Sequence, residues 1–221
     1  VVGLGAKLLK SLNVELAGMR EFPAMKAQDI DVPTSEGDLW CWLRGEDRGD
    51  LIHQARELNK ILEPAFEVFA VTDAFKYGAG LDLTGYVDGT ENPAGDDASA
   101  TAFVQEGKLA GSSFVAVQLW KHDFKIFDKM SEREQDESIG RHKSDNEEFD
   151  APKSAHVKRT AQEDFEPEAF VLRRSMPWSD SENEGLNFVA FGSSFDAFEA
   201  QMKTVIHRPE QGRNLQMNGS R

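Results

Sequence analysis

The chain has 221 residues, of which 25 are Lys or Arg and 39 are Asp or Glu, so its formal net charge is -14. This charge argues against nucleic acid as a partner, and no apolar run approaches the ~18 residues of a membrane span, so we expect no membrane partner. The single cysteine, Cys41, excludes an internal disulfide framework and any site built from several thiolates of one chain.

The first half of the chain predicts a helix between two strands, preceded by a short strand at residues 1–5. Bulky residues at 39–44 predict the next strand. Apolar residues recur at helical spacing after Asp50 and predict a helix that packs on a sheet. Residues 66–71 alternate weakly and predict another strand. No signal peptide precedes the first strand, and an opening strand and helix are expected to be missing there.

The second half repeats this alternation of strands and helices. Ser131 and Glu134 have the spacing of a capping box, which predicts the start of a helix. The predicted elements are, in order, a buried strand at 113–120, a helix from 131 towards 141, an irregular polar segment at 142–168, strands at 170–176 and 186–191, and an amphipathic helix from Phe195 to Val205.

The order of these elements predicts an α+β fold made of two ferredoxin-like units, each an antiparallel sheet with helices packed on one face. The second unit reads strand, helix, strand, strand, helix, and is one strand short of the complete pattern. The two halves share no residue-level repeat, so this prediction depends on element order alone.

The segment from Gly85 to Pro93 is the most unusual local sequence, because two glycines flank an acid and a Thr-Glu-Asn-Pro run follows. Glycine permits a sharp turn or a close approach to a ligand, which would fix Asp88 on a rigid loop. The alternative is an ordinary Asp-Gly hairpin turn.

Arg173 and Arg174 lie inside an apolar strand, where neighbouring side chains point to opposite faces. If one of these faces is covered, the guanidinium on it needs an acid partner or an anionic ligand. An edge strand with both arginines exposed is the alternative.

His156 follows an acid-rich segment, and from its own context it is either a solvated side chain or a ligand. The chain has no H-x-x-x-H or H-E-x-x-H spacing, and it also lacks the nucleophile elbow, the P-loop and the complete dinucleotide-binding glycine motif. The sequence therefore gives no support to a zincin, a hydrolase of that type or a nucleotide-binding protein.

Taken together, these segments resemble the dye-decolourising (DyP-type) haem peroxidase family. Gly85–Pro93 resembles its G-x-x-D-G motif in the long bacterial form. The other matching segments, in family order, are Ile139–Lys143, Ser154–His156, Leu172–Pro177 and Gly185–Phe191.

The resemblance implies two ferredoxin-like domains, residues 1–111 and 112–221, with haem b (iron protoporphyrin IX) held mainly by the second. It also implies that the first domain lacks its opening strand and helix and that the second lacks its last strand.

The resemblance further implies roles for particular residues. His156 would ligate the haem iron, while Asp88 would act as acid–base on peroxide and Arg173 would stabilise charge as the O–O bond breaks. Ser175 is expected beside Arg173 as a hydrogen-bonding neighbour. The positive charge of Arg173 is expected to favour the ionised form of Asp88.

Further residues are implied as haem contacts. Arg141 is expected to pair with a haem propionate, and Asn218 to accept the second N–H of the iron-binding His156. The remaining expected contacts are Leu186 and Phe188, as an apolar lid, with Gly89, Thr90 and Glu91 of the motif.

The implied function is a peroxidase that uses hydrogen peroxide to oxidise bulky organic donors such as dyes and phenolics. A haem-delivery or iron-release protein with incidental peroxidase activity is the alternative, and a ferredoxin-like interaction module without a cofactor is a third reading. The resemblance also suggests a homo-oligomer and packaging in a protein nanocompartment. With no visible signal peptide, the cytoplasm is the expected location.

Overall fold

The computed structural model describes residues 1–27, 30–34, 37–207 and 218–219. The strands are β1 (Val2–Leu4), β2 (Met25–Ala27), β3 (Ile30–Val32), β4 (Leu39–Cys41), β5 (Phe114–Lys121), β6 (Leu172–Arg173), β7 (Met176–Ser179), β8 (Glu184–Gly192) and β9 (Asn218–Gly219). The helices are α1 (Ala6–Ser11), α2 (Arg48–Leu62), α3 (Gly95–Ala102), α4 (Phe124–Phe127), α5 (Glu132–Ile139), α6 (His156–Arg159) and α7 (Asp196–Ile206). None of these helices is long and apolar enough to cross a membrane.

The chain divides into two compact units. The first comprises residues 1–23 and 34–72, and the second comprises residues 24–33 and 73–221. The predicted domains, 1–111 and 112–221, divide the chain at a different place and stay a prediction of the family resemblance.

In the first unit, β1 and β4 form a two-stranded antiparallel sheet in which Val2 lies opposite Cys41. The predicted helix is present as α2, but no residue of α2 is buried, so the expectation that it packs on a sheet was wrong. The predicted strand at 66–71 was also wrong. Among the described residues no neighbouring strand offers it a hydrogen-bonding partner, and Phe69 remains 77% exposed.

In the second unit, the main sheet has the order β6-β8-β5-β9, and β7 also pairs with β8. All these pairs are antiparallel. With the helices α4 and α5 after β5 and α7 after β8, this is the ferredoxin-like arrangement. The short strand β9 follows α7 and pairs with β5, so the expectation of a missing last strand was wrong. The hairpin β2–β3 completes the unit.

The packing of α7 follows its amphipathic pattern. Its buried residues are Phe198, Met202 and Ile206, at the i, i+4, i+8 spacing of one helix face. The ring of Phe198 lies 6.1 Å from that of Phe188 on β8, which places α7 against the sheet. The predicted amphipathic helix is therefore confirmed.

The predicted capping box at the start of α5 is confirmed. The amide N–H of Glu134 donates to the Ser131 hydroxyl, and the Glu134 carboxylate accepts from the amide of Ser131. These two bonds satisfy amide groups that a helix N-terminus otherwise leaves unpaired.

We predict that Ser131→Ala lowers the free energy of unfolding by about 1 kcal/mol, because the variant loses the side-chain cap of α5. Urea denaturation at neutral pH measures the change, and Ser131→Thr, which retains a hydroxyl cap, is the matched control. Equal stability of the alanine and threonine variants would contradict the role of the cap.

Candidate active site

The second unit contains a cavity of about 320 Å³, within the range of small-molecule sites. Nine of the ten predicted site residues line it, namely Asp88, Gly89, Thr90, Glu91, Arg141, His156, Arg173, Leu186 and Phe188. The structure thus brings together residues that lie up to a hundred positions apart in the sequence.

Asp88 and Arg173 form an ion pair at the cavity, with 3.8 Å between Asp88 Oδ1 and Arg173 Nη1. Both side chains are about one-fifth exposed, at 21% and 19%. Arg173 therefore lies on the covered face of its strand, whereas the neighbouring Arg174 is exposed. This agrees with the predicted alternation of the two arginines.

Burial and two neighbouring charges set the pKa of Asp88. Burial raises the pKa of Asp88, and although Arg173 opposes this shift, the nearby negative charge of Asp82 adds to it. The pKa of Asp88 therefore lies above its usual value, while the charge of Arg173 favours the ionised form, as the sequence analysis expected. The physical reason is that loss of water costs the carboxylate more than a guanidinium 3.8 Å away returns.

The loop that carries Asp88 is a tight turn followed by a glycine in the left-handed region. The turn lies at Asp82–Gly85, before Asp88, so the hairpin alternative describes a neighbouring part of the same loop. Gly89 has a φ of 75°, and a Cβ there would lie 2.7 Å from Nδ2 of Asn92. Glycine is therefore required directly after the acid.

Two positioning residues were missed by the sequence analysis. The side-chain amide of Asn92 donates to the carbonyl of Arg173 over 3.1 Å and accepts from its amide over 2.7 Å. The buried Gln162 likewise donates to the carbonyl of Glu91 and accepts from the amide of Val171. Both amides connect the Asp88 loop to the segment that carries Arg173, so they fix the acid and the guanidinium together.

His156 begins the short helix α6 and faces the same cavity. Burial, followed by the charges of Arg173 and Arg159, lowers the pKa of His156 to about 4. The imidazole is therefore neutral at neutral pH, which is the form that ligates a metal.

Neighbouring helices hold α6 in place. Arg159 donates to the carbonyls of Thr204 and His207 at the end of α7. Gly140 ends α5 with a φ of 100°, and a Cβ there would lie 3.2 Å from Cβ of Val157. The glycine thus allows the end of α5 to approach α6 directly beside His156.

Arg141 is buried, and its guanidinium is hydrogen-bonded to other groups of the protein. Its guanidinium donates to the carboxylates of Glu91 and Glu148 and to the carbonyl of Asn146. The predicted role of Arg141 as a propionate partner stays a prediction. Any carboxylate that bound there would share the guanidinium with Glu91 and Glu148.

Ser175 is the predicted site residue that the structure does not place in the cavity lining. The strand is interrupted between β6 and β7, and the hydroxyl of Ser175 accepts a 3.4 Å bond from the amide of Val189 on β8. β6 and β7 pair with β8 in one continuous register, so the predicted alternation of Arg173 and Ser175 is kept, and the role of Ser175 as a hydrogen-bonding neighbour stays a prediction. The side chain of Asn218, the expected partner of His156, lies outside the described part of the structure.

The cavity walls are mostly apolar. They include Leu186 and Phe188 of β8, together with Ile126, Phe127, Ile139, Phe198, Met202 and Val205. Among the described residues, Gln118 Oε1 is the one buried side-chain polar atom without a hydrogen-bond partner, and Gln118 lines this cavity. A buried orphan acceptor is costly, so this atom indicates that the cavity takes an occupant with a donor group.

Comparison with known proteins identifies the class. The family model described as "Dyp-type peroxidase, C-terminal" matches residues 79–219, which is more than half of the chain. The chain therefore belongs to the Dyp-type peroxidase family, and the predicted family is confirmed.

Individual relatives agree with this result. A dye-decolorizing peroxidase from Rhodococcus erythropolis is 31% identical over 216 residues, covering 93% of this chain and 63% of the relative. A dyp-type peroxidase structure from Shewanella oneidensis has a TM-score of 0.88 at 30% identity, covering 93% of this chain and 69% of that one. A DypB variant from Rhodococcus jostii RHA1, in complex with heme, has a TM-score of 0.84 at 27% identity, covering 92% and 69%.

These structures confirm the predicted fold class. The chain spans between 56% and 63% of the length of the curated relatives that it matches.

We predict that Asn92→Ala destabilises the protein by about 1–3 kcal/mol, because it leaves the partly buried amide and carbonyl of Arg173 without partners. Urea denaturation measures the free energy of unfolding. Asn59→Ala, an exposed position on α2, is the control and is expected to change stability by less than about 0.5 kcal/mol. A loss no larger than that of the control would show that the Asn92 bridge contributes nothing.

Proposed function

We propose that this chain forms the catalytic part of a haem-dependent peroxidase that uses hydrogen peroxide to oxidise bulky organic donors by one-electron steps. The observation that carries the proposal is the single cavity in which Asp88, Arg173 and His156 meet. A neutral imidazole, an acid and a guanidinium within apolar walls are the groups that this chemistry requires.

The residues of the cavity fit a haem. The group is broad and apolar with a metal at its centre, and the walls offer aromatic and aliphatic side chains together with His156 as a ligand. The described residues contain no group of three or more His, Cys, Asp or Glu side chains that could hold a metal ion by themselves.

Bound haem would supply the iron that binds peroxide and the oxidising equivalents that organic donors then remove. The protein supplies the proton transfers. Ionised Asp88 takes a proton from one peroxide oxygen and returns it to the other, which leaves as water. Arg173, held beside Asp88, stabilises the negative charge that develops on the departing oxygen.

The peroxide and organic-donor partners follow from this proposal. A homo-oligomer, a cytoplasmic location and packaging in a nanocompartment stay predictions of the family resemblance. The haem-delivery alternative would use the same cavity, and faster transfer of haem to an apo-acceptor than turnover of donor would favour it.

We predict that His156→Ala shifts and weakens the Soret band of haem-reconstituted protein, because the cavity loses its iron ligand. Absorption spectroscopy during haemin titration measures this, with His53→Ala, an exposed position on α2, as the control. Added imidazole should restore part of the band if the variant is folded. An unchanged spectrum in His156→Ala would remove the assigned ligand.

The role of Asp88 predicts that the rate of the peroxide reaction falls at low pH, which gives an acid limb in the pH–rate profile. Because Asp88 works in its ionised form, the rate should rise as pH passes through its pKa, which lies above 3.8. Arg173→Leu removes the charge that opposes the upward shift, so the limb should move to still higher pH. In Asp88→Asn the limb should disappear and the rate fall by about 10²–10⁴-fold.

Stopped-flow mixing with peroxide across the pH range measures these limbs. Arg173→Lys is the matched control, because it retains the positive charge and should leave the limb close to its wild-type position. A limb that stays in place in Arg173→Leu, or that persists in Asp88→Asn, would assign it to another group.

A further inference from the structure

A second acid–base pair lines the same cavity and has no part in the roles described above. His122 Nε2 lies 2.8 Å from Asp82 Oδ1, and the two side chains are only 14% and 13% exposed. The other carboxylate oxygen of Asp82 accepts from the amide and the hydroxyl of Thr84, at 2.9 and 2.6 Å. Asp82 is thus held on both of its oxygens.

The hydrogen bonds define the state of the pair. Burial alone would raise the pKa of Asp82, but the contacts with His122 and Thr84 outweigh it and lower the pKa. Ionised Asp82 can only accept, so Nε2 of His122 is the donor of the 2.8 Å bond. In the neutral ring this leaves Nδ1 with a lone pair, and Nδ1 has no hydrogen-bond partner among the described residues.

The surroundings of His122 suit an aromatic hydroxyl compound. Phe124 lies edge-on to the imidazole at 5.5 Å, and Trp120, Ile126 and Phe127 are apolar parts of the same cavity lining. Gln118, with its orphan amide oxygen, lies two residues before Trp120 on the same face of β5. Nδ1 of His122 and Oε1 of Gln118 are two acceptors without partners among the described residues, beside this apolar wall. They could accept hydrogen bonds from hydroxyl groups on an aromatic ring that packs against the wall.

We propose that the Asp82–His122 pair binds the hydroxyl of a phenolic donor and takes its proton when the donor is oxidised. The inference rests on the proposed peroxidase function. The phenol O–H bond breaks and the proton moves to Nδ1 of His122, while bound haem, once oxidised by peroxide, would accept the electron. A phenoxyl radical leaves, and His122 then returns the proton to solvent.

The other charged groups of the cavity support a division of roles. Asp88 and Arg173 form the peroxide pair, and Asp123, next to His122, accepts from the amide of Ile126 as the cap of α4. The negative charge of Asp82 raises the pKa of Asp88, so the pKa values of the two carboxyl groups differ. Such separation is typical of acids that do different work in one site. His122 is then a catalytic residue and Asp82 a positioning residue.

The test compares two electron donors in His122→Gln, a change that keeps a side-chain amide towards Asp82 but removes the base. Phenol loses a proton with its electron, whereas ferrocyanide loses only an electron. We expect the ratio of the phenol rate to the ferrocyanide rate to fall by about 10²-fold, the usual contribution of a general base. Phenol should also bind the resting haem-loaded variant more weakly, as measured by the Soret difference spectrum.

His53→Gln makes the same substitution at an exposed position outside the cavity lining and should leave the ratio unchanged. An unchanged ratio in His122→Gln, including an equal loss with both donors, overturns the proposal and leaves the pair a purely structural role. If His122→Gln does not take up haem, the wild-type protein in D₂O decides. Phenol oxidation should slow by a larger factor than ferrocyanide oxidation, and equal factors overturn the inference.

These outcomes separate the inference from the function on which it rests. A wild-type protein that binds no haem or does not react with peroxide overturns both. A wild-type protein that reacts with peroxide and oxidises both donors, but shows no phenol-specific effect in the variant or in D₂O, overturns the inference alone.

Discussion

The central constraint on this protein is the placement of an acid and a guanidinium together in a largely apolar cavity. Asp88 and Arg173 lie 3.8 Å apart with about four-fifths of each side chain covered. Each charge loses water, and each recovers part of that loss from the other. The result is a carboxyl group with a raised pKa beside a fixed positive charge, which can both accept and return a proton.

Much of the surrounding structure maintains this placement. Asn92 and Gln162 use side-chain amides to connect the Asp88 loop with the segment of Arg173, where a backbone ladder is absent. Gly140 and Arg159 serve the other side of the cavity by fixing the helix that begins with His156. Arg141 links Glu91 of the loop to Glu148. The site is therefore held by short polar connections between elements that are distant in sequence.

The pairs Asp88–Arg173 and Asp82–His122 differ in the direction in which the pKa of the carboxyl group is shifted. Burial and the neighbouring charge of Asp82 raise the pKa of Asp88, because the guanidinium of Arg173, 3.8 Å away, offsets only part of this shift. Asp82 accepts three close hydrogen bonds, so its pKa falls although it is also buried. Two carboxyl groups within one cavity are thereby tuned in opposite directions by the number and distance of their donors.

The sequence by itself determined the elements and residues whose cause is local. The capping box at Ser131 and Glu134 and the apolar stripe of α7 depend on residues three or four positions apart, and both were predicted. The ordered motifs around Asp88, His156 and Arg173 identified the family, because their residue types and order are specific. The alternation of Arg173 and Arg174 also follows from strand geometry alone.

Only the tertiary structure decided features that depend on distant partners. The stretch at 66–71 has a strand-like composition, but a strand exists only where another strand accepts its hydrogen bonds. The raised pKa of Asp88 reflects its burial and the proximity of Asp82. Asn92, Gln162 and the Asp82–His122 pair act through contacts that span between 40 and 81 residues, which no local pattern encodes.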